Sequence, residues 1–77
     1  MTISPAQCRA ARGLVQMSQT TLAEASSISR SVLVDFENER RIPNRNNLTA
    51  IQRALEAAGV EFIAGDPTGV RLKKKRR

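Results

Sequence analysis

At 77 residues the chain allows one small domain, because a chain of this size buries only about 60 % of its unfolded surface; a multi-layer enzyme core is excluded. Hydrophobic residues make up 40 % of it, with two Phe and no Trp or Tyr, so a core must come from Leu, Ile, Val and Ala, and the single Cys and absent His leave no internal disulfide, metal set or histidine base. The formal charge of +6 belongs to the tail: six of the 13 basic residues lie in the last seven positions, and residues 1–70 hold seven basic and seven acidic groups.

Ser4-Pro5-Ala6-Gln7 is a helix start in which Ser4 caps, Pro5 suits the first helical position and Gln7 completes a capping box. The first helix is expected over about 5–15, with Cys8, Ala11 and Val15 on one face; Arg12 shares that face and calls for a partner. Cys8 reads as a small core residue, with redox sensing as the alternative. Ser18 caps a second helix over about 19–26 that turns Leu22 and Ala25 or Ser26 inward, and Ser29 caps a third over about 30–38 with Val32, Leu33 and Phe36 as its buried ridge. The connection between the second and third helices is as short as a helix-turn-helix requires.

Glu37 edges onto the apolar face of the third helix, as Arg12 does on the first. Opposite charges in such places are expected to pair and tie the two helices, since either one buried alone would cost several kcal/mol; separate snorkelling to water is the bland alternative. From Asn38 to Asn47 the chain is a polar, basic loop broken by Pro43. Asn44 or Asn47 caps a fourth helix ending near Ala58, with Leu48, Ile51, Leu55 and Ala58 as core rather than a zipper, and Gly59 as its stop.

After Gly59 two β-prone runs, Val60–Ile63 and Val70–Leu72, flank the turn-forming segment 65–69, predicting a C-terminal hairpin. A lone hairpin is marginal in water, so it must pack on the helices or pair with a second copy. Residues 1–59 thus read as a helical unit, 60–72 as the hairpin and 73–77 as a disordered basic tail that attracts phosphate or is merely solvated. No signal peptide or membrane-length apolar run is evident, so a cytoplasmic protein without membrane partner, metal or cofactor is expected.

With Leu33 and Phe36 inward, Ser31, Val34, Asp35 and Asn38 face outward, and Arg30 projects from the first turn. Such a helix suits a DNA major groove: Arg30 can bond guanine in bidentate fashion, Val34 can touch a thymine methyl, and Asp35 can accept from cytosine or repel phosphate. A plain solvated face is the competing reading. Arg40, Arg41 and Arg45 would lie over the adjacent phosphates, with Asn46 and the helix-capping Ser29 as further backbone contacts.

These features together resemble the Cro/CI-type (Xre-family) helix-turn-helix domains, which have a lambda-repressor-like fold. The matching run goes from Arg9-Ala10-Ala11-Arg12 through Ser18-Gln19, Leu22-Ala23, Ile28-Ser29-Arg30, Phe36-Glu37 and Arg40 to Pro43, then Leu48 and the ALEAAG of the fourth helix. The resemblance implies a mainly α bundle of four to five helices, here with the β-hairpin added. It also implies double-stranded DNA as partner, Gln19 on a phosphate and Arg45 entering the minor groove. The family usually has glycine where this chain has Ser27 in the corner and Glu39 after the third helix, and Glu39 brings negative charge near the expected DNA face.

A homodimer on an inverted-repeat operator is therefore expected, its recognition helices about 34 Å apart and its hairpin as the dimer contact. Two rivals use the same residues. An antitoxin would hold a toxin through the hairpin and tail; a protein-interaction module that has lost DNA binding would account for Asp35, Glu39 and the neutral body.

Overall fold

The computed structural model describes residues 2–64 and 69–73; the expected turn at 65–68 and the basic residues 74–77 lie outside the described residues. Four helices, α1 (Pro5–Val15), α2 (Gln19–Ser26), α3 (Arg30–Glu37) and α4 (Arg45–Ala57), are followed by strands β1 (Val60–Ile63) and β2 (Gly69–Leu72). Each helix begins at a side chain that accepts from an otherwise unpaired backbone N–H: Ser4, Ser18, Ser29 and Asn44 take the amides of Gln7, Thr21, Val32 and Asn47 at 3.0, 3.0, 3.2 and 2.8 Å. Asn44, not Asn47, is thus the cap of α4, and the capping box closes as Gln7 Oε1 accepts from Ser4 N at 2.9 Å. The first three helices also exit alike, through a residue with left-handed backbone: Gln16, Ser27 and Glu39 have φ of 55°, 58° and 63°. The last two are the positions where glycine was expected and is absent.

The core consists of Ile3, Cys8, Ala11, Leu22, Ala23, Leu33, Phe36, Leu48, Ile51, Leu55 and Val60. Three expectations shift, and one open choice, between Ala25 and Ser26, is decided. Val32 is only half-buried, because α3 is rotated to bury Glu37 beside Leu33 and Phe36. On α2 Ser26 is buried rather than Ala25; its hydroxyl donates to the Leu22 carbonyl at 2.7 Å, which satisfies it inside the fold. Val15 packs against the core without being fully enclosed, and Ala58, just past the end of α4, is exposed.

The strands pair antiparallel, Val60 with Leu72 through Ile63 with Gly69. Alternation puts Val60, Phe62, Val70 and Leu72 on one face. Val60 is 1 % exposed within the helical core, and Phe62 and Val70 pack against that core, whereas Leu72 stays 54 % exposed. Burying Val60 alone contributes about 1.5–3 kcal/mol, so the hairpin is joined to the helices by a common core. A polar clip reinforces the joint: Gln7 Nε2 donates to the carbonyls of Gly69 and Ile63 at 3.1 and 3.3 Å. Gln7 therefore caps its own helix with one amide atom and holds the hairpin with the other.

Candidate nucleic-acid interface

The corner between α2 and α3 is built from local bonds. After Ser26 the chain turns through left-handed Ser27, whose N–H donates to the Glu24 carbonyl at 3.1 Å, while Ile28 N reaches the Ala23 carbonyl at 3.0 Å. Ser29 then caps α3, with its Oγ 3.3 Å from that of Ser31. Leu33, Phe36 and Glu37 are the buried side of α3. Arg30, Ser31 and Asn38 are exposed and Val34 and Asp35 half-exposed; Ser31, Asp35 and Asn38 lie opposite the buried side, Val34 lies at its flank, and Arg30 projects from the first turn.

Glu37 is the anchor of this arrangement. Its side chain is 1 % exposed, and Arg12 grips both carboxylate oxygens, Nε to Oε2 at 2.7 Å and Nη2 to Oε1 at 2.8 Å. The thiol of Cys8 donates to Oε2 at 3.1 Å, Gln19 Nε2 donates to Oε1 at 2.9 Å, and the third Arg12 nitrogen reaches the Met17 carbonyl at 3.1 Å. One carboxylate thus joins α1, α2 and α3. Burial would raise its pKa, but the hydrogen bonds from Arg12, Cys8 and Gln19 outweigh that effect and hold it below the ordinary value of 4.5. The same environment drives the Cys8 thiol far up, first through burial and then through its bond to Glu37, so Cys8 remains a protonated donor.

The geometry changes what Gln19 has to offer. One N–H of its side-chain amide is committed to Glu37, which leaves the second N–H and the backbone N–H at the start of α2 for a phosphate. Ser29 likewise spends an acceptor site on its capping bond. Asp35 lies 4.0 Å from Arg41, a loose contact that draws this arginine toward α3. Arg40 and Arg41 are exposed in the loop after α3, and Arg45 and Asn46 are exposed in the first turn of α4. The loop backbone is fixed by Glu39 N to the Phe36 carbonyl at 3.0 Å and Arg40 N to the Asp35 carbonyl at 2.8 Å, and Pro43 is buried.

The HTH_3 helix-turn-helix family matches this chain over residues 9–62. The chain belongs to that family. It is a DNA-binding helix-turn-helix regulator of Cro/CI type, and the family is generally not enzymatic. No curated protein matches the chain. The HTH_3 region takes in α1 from Arg9 onward and runs into β1, so the match includes the residue, Val60, that links hairpin and helices. Among the described residues no helix is long and apolar enough to cross a membrane, and no group of His, Cys, Asp and Glu could hold a metal ion.

Two contributors to this HTH_3 site were not picked out in the sequence. Arg9 donates through Nη1 to the Glu37 carbonyl, closing the C-terminal end of α3 from α1. Its spacing of three from Arg12, which places both on one side of α1, was the available signal. Cys8 had no such signal as a donor, since nothing local distinguishes a thiol aimed at a carboxylate from one packed among methyl groups.

Proposed function

We propose that the protein binds an inverted-repeat operator as a homodimer in the cytoplasm, with α3 of each copy in a major groove. The observation that carries this reading is the division of α3: its inner side is locked by Leu33, Phe36 and the paired Glu37, leaving Arg30, Ser31 and Val34 outward on a rigid support. Arg30 would read guanine, Ser31 and Val34 the neighbouring base edges, and Asp35 would favour cytosine N4 over phosphate. Backbone contacts would come from the two free N–H groups of Gln19 and from Ser29, Arg40, Arg41, Arg45 and Asn46. The hairpin would contribute to the dimer through the outer edge of β2 and Leu72, because its other apolar side chains already pack on the helices.

Selection of bound DNA from a random pool, followed by binding measurements over a range of salt, tests the proposal. Arg30→Ala is expected to cost about 1–3 kcal/mol on the selected site and to relax preference at one base pair. Arg45→Ala should weaken all sequences alike and reduce the salt slope by about one unit. Failure to select any DNA would refute the proposal; a uniform loss with Arg30→Ala would make that residue a phosphate contact instead.

A further inference from the structure

Ile42 is the most exposed large hydrophobic side chain among the described residues, at 86 %. It stands on the rim of an apolar groove of about 370 Å³ lined by Ile3, Pro5, Phe36 and Leu48, with Glu39 and Arg41 at the same opening. The loop that presents it does not rely on Ile42 for its shape: the Phe36 and Asp35 carbonyls hold one end, and buried Pro43 and the Asn44 cap hold the other. An aliphatic knob on a fixed loop, beside an apolar recess, is an arrangement that a partner surface would complete.

We infer that the occupant of this groove is Ile42 of a second copy, so that the loops between α3 and α4 meet across the twofold axis of the dimer. The inference rests on the homodimer reading and adds to it where the copies touch. Three features favour a second copy. Glu39 and Arg41 carry opposite charges at one opening, so a twofold axis brings the Glu39 of each copy to the Arg41 of the other; a surface of one sign would meet repulsion from one of them. Without DNA bound, both residues are free to make that exchange, since their present contacts are long, Glu39 to Arg9 at 3.9 Å and Arg41 to Asp35 at 4.0 Å, and the Glu39 side chain is 69 % exposed. Third, the hairpin has turned Val60, Phe62 and Val70 to its own helices and keeps only Leu72 outward, whereas Ile42 stands 86 % exposed beside the recess.

Sedimentation equilibrium of the full chain without DNA, with circular dichroism as a folding control, tests the inference. Ile42→Asp should weaken the dimer roughly tenfold or more while the helical spectrum is kept, because the side chain is solvent-exposed in the free protein. Glu39→Lys and Arg41→Glu should each weaken it, and the two together in one chain should restore it. Ile42→Cys gives a second readout: Cys8 is 0 % exposed, so oxidation should produce disulfide-linked dimers through position 42 alone. A dimer that tolerates Ile42→Asp but is lost with Leu72→Asp would place the contact at the hairpin and overturn the inference, as would failure of the Ile42→Cys dimer to cross-link. A wild-type chain that stays monomeric both free and on its selected DNA would overturn the homodimer reading itself.

Discussion

Two arginine–glutamate pairs of nearly equal length sit in this small fold, Arg12–Glu37 at 2.7 Å and Arg71–Glu61 at 2.8 Å. Their surroundings differ. The first pair has side-chain exposures of 21 % and 1 %, the second 64 % and 47 %. Each arginine lowers the pKa of its glutamate, yet the Glu61 carboxylate stays in water, where screening and side-chain entropy consume the attraction. The buried Glu37 has no water to fall back on. Distance alone does not rank the two pairs; what each carboxylate would lose on losing its arginine does.

The comparison is broken most forcefully by Glu37→Ala. That change leaves Arg12, Gln19 and the Cys8 thiol without their acceptor and should cost about 3–5 kcal/mol, enough to unfold much of a marginally stable domain, as read from a urea titration. Acid is a gentler version of the same cut. Because the folded pKa of Glu37 lies below its unfolded value, the stability it contributes is complete above about pH 4.5 and is lost as pH falls through the depressed folded value. Thermal melts should therefore decline steeply below pH 4.5, and a variant carrying Glu37→Gln should show a shallower decline. At the other end of the scale, Arg71→Ala should leave the melting temperature within error of wild type; a drop as large as that from Glu37→Ala would show that the exposed pair is wrongly ranked.

Legibility from sequence followed the range of the signal. Helix starts are local, one hydroxyl or amide reaching an N–H three residues on, and Ser4, Ser18 and Ser29 could be placed without knowing the fold, while Asn44 is one of two candidates for the fourth helix. Arg12 and Glu37 were legible for a different reason: each is a charge on an apolar stripe, and a buried charge needs its opposite. What stayed hidden depends on segments meeting in space. The second use of Gln7 requires the hairpin carbonyls to arrive 56 and 62 residues later. Ile3 and Val60 lie outside the periodic helices, so no stripe marked them as core. The turn of Gln19 toward Glu37 removes part of its capacity for phosphate, and helical periodicity could not show it. As to the interface, exposure of Arg30 and Ser31 follows from burying Leu33 and Phe36, while the openness of Ile42 emerges only once Pro43 is seen to be the buried member of its loop.

The helix exits have a consequence for how much improvement this fold can accept. Glycine and side chains stand in one another's natural places: Gly13 occupies a helical position of α1 with open space where a Cβ would be, while Gln16, Ser27 and Glu39 hold left-handed backbone that favours glycine. Gly13→Ala would recover about 1 kcal/mol of helix propensity, and each left-handed position holds strain on the order of 1 kcal/mol. Gly13, Gln16 and Ser27 lie outside both the proposed recognition face of α3 and the inferred dimer contact at Glu39, so at these three positions stability can be tuned apart from DNA preference, and a thermally hardened version of the domain lies a few single substitutions away.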